Sequence, residues 1–224
     1  MNEPLLALDT THEFGSLALL RGPELLEETL LHSPEGFGQI LFGRIAELLA
    51  RHGCTVADVG CFAAASGPGS FTGVRVGLAS IKGLAEATGK PAVAVSNLAA
   101  MATFGSSALR AVVLDARRGE VYGAVYDAGG AAAVPETVGP FTAWLATLPE
   151  DEIEFVAMDF SPFAPALAGT RFSSAHVTTV PRALAAAVGR IARDRWRAGQ
   201  AADPAAIDAN YVRRSDAELF WKEW

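Results

Sequence analysis

The sequence predicts an α/β protein made of two duplicated domains, each a βββαβαβα-like unit, and two observations carry that expectation. An apolar run, a turn and a second apolar run occur twice, as "LLALD", "TTHEF", "GSLALL" and again as "AVVLD", "ARRGE", "VYGAVYD", so that Asp9 and Asp115 end corresponding strands. Each set is followed by short apolar runs alternating with stretches of helical spacing, as strands and helices of one sheet require. Any two hairpins of apolar runs look alike; the repeated strand-end aspartate is what favours duplication. With 224 residues, half of them apolar, the chain can bury a sizeable core.

In the first copy, residues 5–9 and 15–20 read as a hairpin and 25–31 as a third strand, stopped at His32-Ser33-Pro34. Over 38–52, Ile40, Leu41, Ile45, Leu48 and Leu49 recur at helical spacing between Gln39, Arg44, Glu47 and Arg51, an amphipathic helix ended by Gly53. "CFAAAS" is a buried strand, "SGPGSFTGVRVGLASIKGLA" a loop and a helix, "PAVAVS" a strand, and "NLAAMATF" opens a short helix. The second copy adds a third strand over 131–138, a helix in "FTAWLATL", a strand in "IEFVAM", a short helix near Pro165, the run "AHVTTV" and a long helix over 181–197. The expected domains are 1–104 and 105–224. The second includes a tail whose Tyr211, Phe220, Trp221 and Trp224 need somewhere to dock.

Charge and composition exclude several functions. The formal net charge is −7, and phosphate backbones are gripped mainly by clustered Lys and Arg, so the chain is not expected to hold nucleic acid alone. "MNEPLLALDT" has no basic region ahead of its apolar run, and no stretch approaches the roughly 18–20 apolar residues of a bilayer span, so a cytoplasmic protein without membrane contact is expected. Cys54 and Cys61 form neither a CxxC pair nor a disulfide framework and read as buried reduced thiols. His12, His32, His52 and His176 include no i, i+3 or i, i+4 pair, so no metal site is expected.

The segment over 66–85 matches neither G-x-x-x-x-G-K-[ST] nor G-x-G-x-x-G, and no lysine follows Gly73 to reach a phosphate. A loop before a helix start still offers amides to an anion; the plainer reading is that Ser70 or Thr72 caps the helix. Gly77 and Gly83 lie inside the helix, where each costs about 1 kcal/mol relative to Ala. Close approach of another backbone would offset that cost. Gly73, Gly77 and Ser80 share one face, toward either the neighbouring helix or another subunit. An Asp at a strand end, as at positions 9 and 115, holds metal or phosphate in some kinase-like folds, or simply forms a turn. The following residues, His12-Glu13-Phe14 and Arg117-Arg118, are poor substitutes for glycines and short hydroxyls.

Taken in order and spacing, "LLALDTTHEFGSLALL", "SGPGSFTGVRVGLASIKGLA", "VSNLAAMA" and "VVLDARRGEVYGAVYD" closely resemble the TsaB (YeaZ) family of bacterial tRNA threonylcarbamoyladenosine biosynthesis proteins, and "YVRRSDAE" resembles its Tyr-x-Arg ending. The resemblance implies two duplicated actin-like, RNase H-like (ASKHA, Hsp70-like ATPase) domains with mixed sheets flanked by helices. It implies a role without chemistry: support of the catalytic subunit TsaD, with the ATPase TsaE, in transferring threonylcarbamoyl to the adenosine beside the anticodon of tRNA. Where the catalytic relative has an H-x-x-x-H pair, this chain has His32 and Gly36. The family's partner surface, for TsaD or a second copy, would fall on 38–51 and 73–87, with Ile40, Leu41, Arg44, Gly73, Arg75, Val76, Gly77, Ser80 and Lys82 as contacts. No cofactor of its own is implied; ATP or ADP would belong to the joint surface, with Asp9, Thr10 and Asp115 as candidate contacts, and tRNA would be met only through the complex. The competing readings are a kinase or ATPase of the same fold acting through Asp9 or Asp115, and a metallopeptidase, which the missing histidine pair disfavours.

Overall fold

The computed structural model describes residues 3–213, so Phe220, Trp221 and Trp224 lie outside the described residues. Ten strands are described: β1 (Pro4–Asp9), β2 (Phe14–Arg21), β3 (Glu24–His32), β4 (Cys61–Ala65), β5 (Ala92–Val95), β6 (Leu109–Arg117), β7 (Glu120–Asp127), β8 (Ala132–Pro140), β9 (Ile153–Ala157) and β10 (Val177–Thr179). The helices are α1 (Leu41–Arg51), α2 (Phe71–Thr88), α3 (Asn97–Ala102), α4 (Phe141–Leu145) and α5 (Ala185–Arg197).

The first sheet has the order β3-β2-β1-β4-β5, with β1, β2 and β3 antiparallel and β1, β4 and β5 parallel. The second, β10-β9-β6-β7-β8, is the same order read from its other edge, with the same strand senses. The duplication expected from the repeated hairpins is therefore present strand for strand.

Contacts divide the described chain into one unit reaching Ala100 together with Pro181–Ala209, and a second made of Met101–Val180 with 210–213. The boundary expected at 104 thus differs from the observed one. The long helix expected over 181–197, observed as α5, packs in the first unit and not the second. Side chains of the first sheet explain why. Ser16 Oγ accepts the amides of Leu184 and Ala185 at 3.0 and 2.9 Å, and Glu28 Oε1 accepts that of Ala186 at 2.7 Å. A helix start leaves its first amides without partners, and strand residues far away in sequence supply them here.

In the first unit, β1 is buried along its whole length, which is why "LLAL" is a continuous apolar run and not an alternating one. On one face Leu6, Leu8, Leu17, Leu19 and Phe62 meet Leu41, Ile45, Leu48 and Leu49 of α1 and Val74, Leu78 and Ile81 of α2. The small residues Ala185, Ala186, Ala187 and Ala192 of α5 are buried, and this helix contacts β1, β2, β4 and β5. The second unit is built differently over its latter half. "FTAWLATL" gives only the five-residue α4, and β9 is joined to β10 through a 3-10 turn, Ala164–Leu167, where the first unit has the eighteen-residue α2. Its core is aromatic: Phe141, Trp144, Phe155, Phe160, Phe163 and Phe172 are buried together, with the Phe141 and Phe163 centroids 5.1 Å apart.

Both cysteines are free; Cys61 is buried, which pushes its thiol up to about 12, and Cys54 is half-buried. Among the described residues no helix is long and apolar enough to cross a membrane.

Replacing Ser16, which is fully buried, with Ala strands two amides in the interior. Ser16→Ala is expected to lower stability by about 1–3 kcal/mol in urea unfolding. On β3, the Arg51 guanidinium (2.6 Å), the Thr29 hydroxyl (2.9 Å) and His52 Nε2 (2.9 Å) hold Glu27 down at about 2, from an ordinary 4.5. A carboxyl lowered on folding stabilises above its unfolded pKa and loses that contribution as pH falls from 4.5 toward 2. Acid titration of Glu27→Gln, followed by circular dichroism, should therefore show a shallower loss of stability across that window.

Candidate functional site

The repeated Asp and the glycine-rich loop meet at one place in the first unit. Asp9 is fully buried; its Oδ1 accepts the amide of Thr11 at 2.8 Å and the hydroxyl of Thr11 at 2.6 Å, which bends the chain sharply out of β1. The Thr11 hydroxyl in turn accepts from Asn97 Nδ2 at 2.6 Å. Asn97 Oδ1 accepts the amide of Gly67 at 2.9 Å, and the Asn97 amide donates to the Gly67 carbonyl at 2.8 Å. Asn97 therefore ties the start of α3 to both the turn and the loop.

The loop closes against that turn. The Ser70 amide donates to the Thr11 carbonyl at 2.7 Å, and the Thr10 hydroxyl donates to the Gly73 carbonyl at 2.8 Å. Ser70, of the two expected candidates, caps α2, its hydroxyl accepting the Gly73 amide at 3.3 Å. A Cβ at Gly73 would sit 2.0 Å from the Thr10 carbonyl oxygen, and one at Gly77 would sit 2.6 Å from the Thr10 hydroxyl. These glycines are required by the chain's own strand-end turn. The reading of Gly73 and Gly77 as part of a joint between subunits is corrected: Gly73 lies against the Thr10 backbone and Gly77 against the Thr10 and Leu8 side chains.

This geometry leaves little for a phosphate. The amides of Thr11, Gly67, Ser70 and Gly73 are all occupied within the chain. These four amides are therefore not offered to a phosphate. Asp9 Oδ2 is buried with no hydrogen-bond partner among the described residues. Thr10 is buried as well, whereas Asp115, in the second unit, is partly exposed and its Oδ1 accepts the Arg117 amide at 2.8 Å.

The residues expected as partner contacts on α1 and α2 divide between buried and exposed positions. Leu41, Gly73, Gly77 and Ser80 are buried within the unit, which corrects their assignment as contacts for a partner. Ile40, Val76 and Lys82 are half-buried, while Arg44 and Arg75 are exposed. Arg44 pairs with Glu47 at 2.9 Å, and the Arg75 guanidinium lies 3.6 Å from the centroid of the Phe71 ring. Sequence reasoning missed Phe42 and Phe71, which are 55% and 45% exposed although large and apolar. A signal existed for Phe42: it falls outside the 41/45/48/49 stripe. Thr11 and Asn97 were missed because a hydroxyl and an amide advertise nothing until the fold brings them together. Of the histidines, His32 stacks on Phe14, His52 meets Glu27, His176 lies 3.9 Å from Glu154, and His12 Nε2 is buried without a partner among the described residues.

Two five-stranded mixed sheets of identical order, flanked by helices, define a duplicated actin-like fold. The model of the family described as TsaD, tRNA N6-adenosine threonylcarbamoyltransferase, matches residues 35–195, and the chain belongs to that family. It is similar to the tRNA threonylcarbamoyladenosine biosynthesis protein TsaB of Haemophilus influenzae, 41% identical over 54% of this chain and 52% of that protein. The match to Escherichia coli TsaB is 36% identical over 54% of each, so the chain spans about half the length of these two relatives. Bacillus subtilis TsaB matches over 98% of both chains at 27% identity. Among solved structures, YeaZ from Pseudomonas aeruginosa superposes with a TM-score of 0.80 over 93% of this chain and 99% of that one, at 25% identity.

Gly73→Ala forces a methyl group onto backbone and should cost at least about 1–3 kcal/mol. Asn97→Ala leaves the Gly67 amide without its acceptor and should cost a similar amount. Thermal unfolding checks both; two unchanged midpoints would mean that the turn, loop and helix are not held as described.

Proposed function

We propose that this chain is a partner subunit in tRNA threonylcarbamoyladenosine biosynthesis. It binds and supports TsaD, with TsaE, in transfer of threonylcarbamoyl to the adenosine beside the anticodon, and performs no chemistry itself. The observation that carries this reading is Gly83. It lies in the interior of α2 and is exposed, and a Cβ there would meet nothing within 4 Å. A helix-interior glycine costs about 1 kcal/mol relative to Ala, and nothing among the described residues offsets it at Gly83. A partner helix packing closely on that face would do so. Around Gly83 the same face carries Ala79, Arg75 and Phe71, and α1 adds Phe42, Gly43 and Ala46, all exposed.

Exposed aromatics beside small residues suit a helix-on-helix joint, because aromatic and Arg side chains supply most of the binding energy at interfaces. The similarity to TsaB proteins supports the choice of pathway. In this reading a second copy occupies the same face when TsaD is absent. ATP or ADP is held only at the joint surface, tRNA is reached only through the complex, and the whole assembly works in the cytoplasm.

Mixing the chain with TsaD of the same organism should give a complex at micromolar concentration by size exclusion. Phe42→Glu should weaken it by about tenfold or more with circular dichroism unchanged. Gly83→Ala should raise the stability of the free chain by about 0.5–1 kcal/mol while weakening assembly. No association with TsaD sinks the proposal, as does ATP hydrolysis by the isolated chain that is lost in Asp9→Ala.

A further inference from the structure

Helix α5, "AAAVGRIARDRWR", lays a face of small residues on the first sheet, with Ala185, Ala186, Ala187, Val188, Gly189 and Ala192 buried. Its outward face is of another kind. The exposed positions of the helix are Arg190, Asp194 and Arg197, so every one of them is charged, and the half-buried Arg193 lies among them at helical spacing. Four of the chain's 18 basic residues fall within positions 190–197, all of them arginine. In a chain of formal net charge −7 the cluster is therefore local, not a reflection of composition.

The four guanidiniums divide by what they touch. Arg195 Nη1 donates to the Ala94 carbonyl at 2.9 Å and ties α5 to β5. Arg193 donates to Asp194 Oδ1 at 2.7 Å and to the Gly22 carbonyl at 3.4 Å, which engages the one carboxylate of the helix. Arg190 and Arg197 make no hydrogen bond or ion pair among the described residues. Arg197 reaches toward the same β2–β3 turn as Arg193, its Nη2 lying 3.7 Å from where a Cβ of Gly22 would be. The negative end of a helix dipole favours basic residues, and Arg195 and Arg197 stand in the last turn; Arg190 stands about two turns earlier, outside that effect.

An exposed helix face with charge and no apolar side chain is a poor joint for a protein, because the cores of interfaces are depleted of charged residues. It contrasts with α1 and α2, which expose Phe42 and Phe71 beside small residues. Guanidiniums suit phosphate instead: the planar fork pairs with two oxygens, and contacts to a nucleic-acid backbone add affinity without reading sequence. Two such groups are too few to hold RNA alone, in keeping with the formal charge of −7, but they add to the grip of an assembly that already holds it. Resting on the partner-subunit reading, we propose that Arg190 and Arg197 contact the phosphate backbone of the tRNA held by the complex, while Arg193 engages Asp194 and so leaves their charge uncompensated. The two positions are about 10 Å apart along the helix axis, so each arginine meets its own phosphate.

The test uses the full chain in complex with TsaD and TsaE, and a fluorescent tRNA transcript whose anisotropy is followed between about 50 and 200 mM salt. With Arg190→Gln and Arg197→Gln together, size exclusion should show the same complex, since both side chains are exposed and Gln suits a helix. The dissociation constant for tRNA should rise about fivefold or more at the lowest salt, and the slope of log affinity against log salt should fall by about one per arginine. Arg190→Lys with Arg197→Lys keeps both charges and should keep the slope. A slope unchanged by the Gln pair, a slope lost equally in the Lys pair, or a loss confined to assembly with TsaD, which makes α5 a protein contact, would each overturn the proposal. No complex with the unsubstituted chain defeats the partner-subunit reading and this contact with it, whereas a normal complex whose tRNA binding ignores the Gln pair defeats the α5 contact alone.

Discussion

The first unit depends on how closely the Thr10-Thr11 turn lies against the first turns of α2. Gly73 lets the backbones meet, Gly77 makes room for the Thr10 hydroxyl, and that hydroxyl bonds to the Gly73 carbonyl at 2.8 Å. Thr11 continues the same contact through Ser70 and Asn97. A side chain at Gly73 would run into backbone and not a flexible side-chain end, so the helix or the turn would have to move. Because α2 also buries Val74, Leu78 and Ile81 against the sheet, moving its start would disturb the core. One close backbone contact therefore fixes the register of a helix whose opposite face is open to solvent.

The duplicated units resolve the same topological position in two ways. In both, a strand-end Asp accepts the amide two residues on, through its Oδ1 at 2.8 Å. In the first unit the segment after β4 returns as a glycine loop and a long helix that cover the turn. In the second, the segment after β9 contributes Pro162, Phe163 and a 3-10 turn, and the corresponding space stays open as a groove. Gly69, Gly73 and Gly77 permit the contact in the first unit, whereas Pro162 and Phe163 line the open groove in the second. Duplication has thus supplied one closed and one open version of a single arrangement.

Much of this was legible in the sequence. The repeated hairpin runs gave both sheets, because a strand buried on both faces needs an unbroken apolar run and a turn needs short polar residues or glycine. The apolar stripe 41/45/48/49 gave α1, and Ser70 was one of two residues, with Thr72, expected to cap α2. What sequence patterns could not show was partnership across distance. Glu28 and Ser16 look like ordinary strand residues, yet they hold the start of α5, about 160 positions away, in the first unit. The interior glycines were recognised as a cost needing compensation, but a helix pattern does not say which neighbour provides it, and the strand-end turn was the answer at Gly73 and Gly77. The helix expected in "FTAWLATL" is present only as the five-residue α4, whose Phe141, Trp144 and Leu145 are buried in the second unit's core.

The glycines of α2 divide by face, and that division links the fold to the proposed joint. Gly73 and Gly77 face the strand-end turn, and their cost of about 1 kcal/mol each is offset within the chain by burial and by the Thr10 hydrogen bond. Gly83 faces outward and has no such return among the described residues. A helix held rigidly by its inner glycines presents Arg75, Ala79 and Gly83 in a fixed arrangement, so a partner does not have to order them on binding. Interfaces gain affinity when that ordering cost is already met in the free protein. Tight packing inside the unit is therefore a precondition for specific docking outside it, and loosening Gly73 should reach the partner surface even though no partner would touch that residue.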